Sequence, residues 1–296
     1  MLRMENRKAF MYRPVADMAE QVFLPPSGIR LVLSDLDGTL LHDNKQVSSY
    51  TIAMLQRLKE QGYLFGVATG RPYEVVQHRL KEWKLDTLCD VGIFDNGAVI
   101  YTAGKHLIKR DVYLKHEDIQ YLLRLFSKQD VGIGVHEDGL CASSLHPLMK
   151  RLLNSHSGCF QKIDFTSHIF THATKFLIFT EEHIADVKKL GELHQDRFLF
   201  LQTDSYIYEA VHKKNSKLEG LLELLQSLPA IDIKQVLVFG DGENDIDVMK
   251  ACGYSVCMEN GDKRAKNIAD SIALSNEEDG VAHFIEDHIL SNAVSN

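Results

Sequence analysis

Short apolar runs alternate along this chain with longer stretches in which apolar residues recur every three or four positions. Ile29, Leu31, Val32 and Leu33 make a near-continuous apolar run, the pattern of a parallel strand covered on both faces. Ser48 to Gln61 puts Ile52, Leu55 and Leu58 on one helical face and stops at Gly62. Tyr63 to Ala68 reads as a second apolar strand, about Tyr73 to Trp83 as a helix, and Asp90 to Phe94 as a third strand. Strand, helix, strand, helix, strand at this spacing predicts an α/β fold with a mostly parallel sheet.

From about Lys105 the rhythm changes. A helix over His116–Lys128 is followed by short strands near Val131–Val135 and Leu140–Ser143 and a helical patch at Pro147–Ser155. A strand at Lys175–Thr180, a helix at Glu182–Leu193 and strands at Phe198–Thr203 and Ile207–His212 complete the segment, which reads as an independent α+β module. The α/β rhythm returns with a helix from Lys217, a strand at Val236–Gly240 and further helices and strands to the end. The predicted organisation is therefore an N-terminal extension over 1–28, closed by Pro25-Pro26-Ser27-Gly28. A parallel-sheet domain follows over 29–104 and 213–296, with an inserted module over 105–212.

Composition narrows the function classes. Over 296 residues the apolar and charged contents, 45% and 25%, are those of a globular protein, and the formal net charge of −8 argues against a nucleic-acid or anionic-membrane partner. No apolar run approaches the ~20 residues of a membrane-spanning helix. The opening MLRMENRKAFMYRP lacks the apolar segment of a secretory signal. Its Arg3, Arg7, Lys8 and Arg13 suit a transit peptide, whereas Glu5 and Asp17 do not, so it reads as an unstructured extension or the product of an upstream start codon. Cys89, Cys141, Cys159, Cys252 and Cys257 form no CxxC, and are expected as reduced thiols in a cytoplasmic protein.

The chemistry lies where apolar strands end. The first runs into Asp35-Leu36-Asp37-Gly38-Thr39, two carboxylates at i and i+2, an arrangement that is costly without a cation or a proton between them. The second ends in Thr69-Gly70-Arg71, the third in Asn96-Gly97, and the strand Val236–Gly240 in Asp241-Gly242-Glu243-Asn244-Asp245. In open α/β sheets ligands bind beyond the carboxyl ends of the strands. Four converging carboxylates suit Mg²⁺ better than zinc. Thr69, the Gly70 amide and Asn244 are neutral donors suited to a phosphate group, and Lys217, at the head of a helix, is the candidate cation.

Taken singly, each signal has a plainer reading. Thr69-Gly70 can be a turn and helix cap, Lys217 a solvated helix residue, and Arg71 either a substrate clamp or the partner of a core carboxylate. GDGEND lacks the spacing of an EF-hand. His168 and His172 have metal-like spacing in a segment that does not read as helical. His136, Glu137 and Lys175 are weak candidates for substrate contacts in the inserted module.

The ordered set resembles the haloacid dehalogenase superfamily phosphatases of the Cof type, over about residues 29–290. The matching stretches are Asp35-Leu36-Asp37-Gly38-Thr39, Ala68-Thr69-Gly70-Arg71, Asn96-Gly97-Ala98 with Ile100-Tyr101, Lys217, and Gly240-Asp241-Gly242-Glu243-Asn244-Asp245 with Met249. The resemblance implies a Rossmann-like core with an inserted α+β cap and a Mg²⁺-dependent phosphatase of small phosphorylated metabolites, such as sugar phosphates, pyridoxal phosphate or FMN. It implies Asp35 as nucleophile and Asp37 as acid and base. Mg²⁺ would be held by Asp35, the Asp37 main-chain carbonyl and Asp241, with Asp245 as a ligand or directly behind the ligands, and the phosphoryl group by Thr69, Gly70, Lys217 and Asn244, with Arg71 and Asn96 in support. At one place the chain departs: the family usually has Gly after the lysine, and here Leu218 stands there, with Gly220 two positions on. A phosphotransferase or phosphomutase on the same scaffold, or a non-catalytic phosphometabolite-binding protein, are the alternatives. Oligomeric state is not encoded in these patterns.

Overall fold

The computed structural model describes residues 28–291 except 105, 138 and 157–159. Cys159 and all but the last residue of the expected N-terminal extension thus lie outside the described residues.

The chain begins with β1 (Leu31–Ser34), α1 (Ser49–Glu60), β2 (Leu64–Ala68), α2 (Tyr73–Arg79), β3 (Val91–Phe94), β4 (Val99–Tyr101) and β5 (Leu107–Lys109). Next come α3 (His116–Phe126), β6 (Gly132–His136), β7 (Leu140–Ala142), α4 (Pro147–His156), β8 (Phe160–Lys162), β9 (Lys175–Phe179), α5 (Ile184–Leu193), β10 (Phe198–Asp204) and β11 (Ile207–His212). The chain closes with α6 (Lys217–Gln226), β12 (Val236–Gly240), α7 (Ile246–Ala251), β13 (Tyr254–Met258), α8 (Lys263–Ile268), β14 (Ser271–Ala273) and α9 (Gly280–Phe284), which runs on into a π-helical turn over Ile285–Leu290.

Two sheets result, an eight-stranded one in the order β14-β13-β12-β1-β2-β3-β4-β5 and a six-stranded one in the order β10-β11-β9-β6-β7-β8. In the larger sheet β1 pairs in parallel with both β2 and β12. The strand order reverses at β1, so the crevice beyond its carboxyl end is where a ligand is held in such sheets. β1 is buried along its whole length. Leu31 and Leu33 pack with Leu221 and Leu224 of α6 and Val248 of α7. Val32 faces the other way, toward Leu55 and Leu58 of α1 and Phe284 of α9. That alternation places two apolar layers on a central strand and leaves its end to carry the polar groups. Among the described residues no helix is long and apolar enough to cross a membrane.

The boundaries differ from expectation in four places. β4 and β5 extend the larger sheet as antiparallel strands. Residues 107–109 therefore belong to that sheet, although the sequence pattern draws the inserted module from 105. β8, with Gln161 and Lys162 exposed, was not expected either. α2 ends at Arg79 rather than running to Trp83. Trp83 is instead buried from a turn, its indole donating to the Lys45 carbonyl at 2.8 Å.

The smaller sheet, packed with α3 around Leu122, Phe126 and Phe176, forms the cap. The chain leaves the larger sheet near Arg110 and returns near Lys214, and Arg110 ties the crossings together. Its Nη1 donates to the Gly97 carbonyl at 3.1 Å and the Lys214 carbonyl at 3.4 Å. Between β3 and β4, Asp95, Asn96 and Gly97 all have positive φ, of 50°, 55° and 110°. A Cβ at Gly97 would lie 2.2 Å from the Ser216 carbonyl oxygen, and one at Gly220 would lie 2.9 Å from the Gly97 Cα. These two glycines let the start of α6 approach the turn closely. Leu218, which stands where the resemblance leads one to expect glycine, packs on the core.

Gly97→Ala should therefore destabilise the fold by about 1–3 kcal/mol, from backbone strain and displacement of α6. Chemical denaturation would measure it, and a variant as stable as the parent would contradict this packing.

Candidate active site

The site grows from the ends of β1 and β12. Asp35 N–H still pairs with the Phe239 carbonyl at 3.0 Å, so its side chain leaves a fully ordered strand end. Gly38 turns the chain with φ +74°, and a Cβ there would lie 2.5 Å from Asp241 Oδ2. Thr39 Oγ1 donates to Asp241 Oδ1 at 2.8 Å, tying the two loops together. Asp245 is locked from behind, its Oδ2 accepting from the Asp241 and Gly242 amides at 3.1 and 3.0 Å.

Lys217 is the first residue of α6, positioned by the Ser216 cap, whose hydroxyl accepts from the Glu219 amide at 3.2 Å. Its side chain is fully buried, and Nζ donates to Asp35 Oδ1 at 2.7 Å and Asp245 Oδ1 at 2.6 Å. The two carboxylates raise the Lys217 pKa against the effect of burial. Burial, with the Asp245 and Asp241 charges, raises the Asp35 carboxyl well above its ordinary value despite the lysine. Burial and the Asp245 charge push Asp241 up to about 7. Asp35, Asp241 and Asp245 each offer an oxygen within 4.8 Å of the others. This all-oxygen set, short of positive charge, fits a hard divalent cation.

Asp37 points elsewhere. Its carboxylate accepts from Arg71 Nε and Nη2, both at 2.6 Å, and from Lys45 Nζ at 2.8 Å. Burial alone would raise its pKa, but the Arg71 fork and Lys45 outweigh this and hold it well below the usual carboxylate range. Of the two readings of Arg71, the geometry is that of a carboxylate partner. The clamp thus favours the ionised form of Asp37. Lys45, in a left-handed turn at φ 62°, carried no motif that could have marked it.

Thr69 is buried, its Oγ1 accepting from the Arg71 amide at 3.1 Å and its carbonyl from the Asn96 amide at 3.1 Å. Asn96 Oδ1 accepts from Asn244 Nδ2 at 3.1 Å, and Asn96 Nδ2 donates to Glu209 Oε2 at 3.2 Å. Glu209, on cap strand β11, pairs with Lys175 at 3.2 Å, and Lys175 also donates to the Gly70 carbonyl. Asp35, Asp37, Thr69, Gly70, Arg71, Asn244 and Asp241 line one cavity of about 470 Å³ with Lys175 and His136 of the cap. Lys217, Asp245 and Asn96 stand directly behind that lining. Glu209 also lines the cavity and was missed in the sequence, although a lone carboxylate inside the apolar run Ile207–Val211 is a readable signal. Glu137 is placed apart: its carboxylate accepts from His168 Nε2 at 2.7 Å and the Thr171 amide at 2.7 Å. The 168–172 segment is indeed not helical.

Known proteins resemble this chain over most of its length. The family model described as haloacid dehalogenase-like hydrolase matches residues 32–285. A 5-amino-6-(5-phospho-D-ribitylamino)uracil phosphatase of Bacillus subtilis is 26% identical over 87% of this chain and 97% of its own length. A protein of the same name from Escherichia coli is 27% identical over 87% of this chain and 95% of its own. The crystal structure of a haloacid dehalogenase-like hydrolase from Bacteroides thetaiotaomicron superposes with a TM-score of 0.74 at 26% identity, covering 87% of this chain and 98% of that one.

Because Asp35 and Asp241 hold protons more tightly folded than unfolded, their contribution to stability is complete below the ordinary value of 3.8 and is lost as pH rises, for Asp241 through about 7. In chelator the melting temperature should fall between roughly pH 4 and 7, and added Mg²⁺ should raise it more at the higher pH, where no proton competes. A Mg²⁺-induced shift that does not grow with pH would contradict this electrostatic picture.

Proposed function

The chain belongs to the haloacid dehalogenase-like hydrolases and is a phosphatase, and from that premise we propose that it hydrolyses small phosphate monoesters through an aspartyl-phosphate on Asp35. The observation that carries this reading is the placement of the Asp35 carboxylate, in the lining of the cavity and beside Lys217, Asp241 and Asp245. Asp35 Oδ1 is held by Lys217, which fixes the carboxylate's direction and leaves its second oxygen to attack phosphorus in line with the departing ester oxygen. Thr69, Gly70 and Asn244, neutral groups on the same wall, would hold the phosphoryl oxygens, with the Lys217 charge behind them.

A Mg²⁺ ion held by Asp35, Asp241, Asp245 and the Asp37 carbonyl would supply charge neutralisation for the phosphoryl oxygens. Asp37 stands two residues on and is the group within reach to protonate the leaving oxygen and then take a proton from the hydrolytic water. The Arg71 and Lys45 clamp favours its ionised form, so donation requires that carboxylate first to leave the clamp. Arg71 and Lys45 would in this way decide when Asp37 can carry a proton.

The cap wall of the cavity mixes apolar residues, Leu140, Leu177, Tyr206 and Ile207 among them, with the polar and charged His136, Arg151, Gln202 and Asp204. Its size and character suit a ring-bearing phosphate ester, and the ribityl-uracil phosphate named for two relatives is the first to try.

The test is phosphate release from a panel of sugar phosphates, pyridoxal phosphate, FMN and the ribitylaminouracil phosphate, with Mg²⁺ present and Asp35→Asn as the blank. The parent should turn over at least one ester and 4-nitrophenyl phosphate, and Asp35→Asn should lose roughly 10³-fold or more of kcat. No release by the parent from any ester, or an unimpaired Asp35→Asn, would refute the reading.

A further inference from the structure

Two buried charges of the cap reach into the core and remain outside the roles given so far. Lys175 opens β9 and Glu209 lies in β11, the strand beside it, where Glu209 stands opposite Leu177. Lys175 and Glu209 therefore share one face of the cap sheet as diagonal neighbours. Both residues are more than nine-tenths buried, with exposures of 5% and 7%. Burying two charges this completely needs good geometry on both sides, and their pairing at 3.2 Å is completed by core groups. Lys175 donates to the Gly70 carbonyl, and Glu209 accepts from Asn96.

The direction of these bonds carries information. A carboxylate paired with an ammonium accepts and cannot donate. Asn96 must then turn its Nδ2 toward Glu209, which leaves its Oδ1 to face Asn244. Asn244 in turn must offer its Nδ2, as it does at 3.1 Å. The Asn96 carboxamide is also packed against Gly70, where a Cβ would lie 3.1 Å from Asn96 Oδ1. One cap carboxylate thus fixes which way two carboxamides point, and its lysine partner fixes the neighbouring peptide. The end of this chain of bonds is Asn244 and Gly70, two of the groups assigned above to the phosphoryl oxygens.

We propose that Lys175 and Glu209 are positioning residues that set the polarity of a hydrogen-bond relay from the cap to the phosphoryl-holding groups of the core. The proposal rests on the phosphatase reading for the role of Asn244 and Gly70. On this account the phosphate-holding surface is incomplete until β9 and β11 are seated on it. An amide in place of Glu209 can either donate or accept, so the relay loses its direction while the volume stays the same.

The test uses the full chain with Mg²⁺ and inorganic phosphate as the probe, titrated by calorimetry and, in parallel, as an inhibitor of 4-nitrophenyl phosphate hydrolysis. The variants are Glu209→Gln and the double Lys175→Met/Glu209→Gln, which leaves no lone buried charge. Both should weaken phosphate binding about tenfold or more, and raise KM for the aryl ester by a similar factor, while the double variant melts close to the parent. A second measurement separates relay from scaffold: in an Asn244→Ala background, Glu209→Gln should change phosphate affinity by less than twofold. Phosphate affinity within twofold of the parent in both variants, or fully additive losses with Asn244→Ala, overturns the proposal. If the phosphatase reading alone fails, the parent binds phosphate with Mg²⁺ but cleaves no ester, and the titrations still decide the relay.

Discussion

The ammonium of Lys217, sealed between Asp35 and Asp245, is the interaction on which the rest of this structure depends. Three carboxylates meet at the ends of β1 and β12, and a single fully buried cation serves two of them. To bring that cation there, α6 must start at the sheet rim, which requires the close contact of Gly220 with Gly97 and of Gly97 with the Ser216 carbonyl. The left-handed run at Asp95, Asn96 and Gly97 is shaped around this contact and held by Asn215, whose Nδ2 donates to the Asp95 carbonyl at 2.9 Å. Sheet order, helix start and turn geometry thus serve one electrostatic arrangement.

The carboxylates of the site divide into two kinds by their neighbours. Asp35 and Asp241 are pushed up by burial and by one another, whereas Asp37, two residues from Asp35, is held down by Arg71 and Lys45. Environment rather than residue type makes this difference. It gives two aspartates on one short loop distinct proton affinities, in the sense opposite to the one a two-step phosphoryl transfer would use, so a cation beside Asp35 and release of Asp37 from its clamp would have to reverse the order.

Much of this was legible in the sequence because the acidic and glycine-bearing motifs sit directly on apolar strands. Asp35, Asp241 and Asp245 meet as their positions on strand ends led one to expect, and the alternation of strands and helices gave the larger sheet. The parts that escaped were those with no local period. β4, β5 and β8 are three residues long, and β5 and β8 also carry exposed polar residues, whereas β7, equally short, is buried throughout and was legible. Lys45 is a single charge in a turn, and its partnership with Asp37 exists only through tertiary folding. Glu209 was concealed differently: its strand reads as apolar, and the one charged residue in it gains meaning only from Lys175 and Asn96 across the domain junction. Asp95, pushed up to about 7 by its burial, belongs to the same junction and likewise carries no sequence signal.

The position of β1 between β12 and β2 has a consequence for how the chain is made. During synthesis, residues 31–109 carry five of the sheet's eight strands, and the edge of β1 that will receive β12 stays open until residues 236–240 follow. The whole cap is translated in that interval. An apolar, unpaired strand edge is a site for illegitimate pairing with other chains. The cap, with its own sheet and core, can fold while the ribosome completes the remainder. The nascent partial sheet has no such closure of its own, and it is the species on which a chaperone would act.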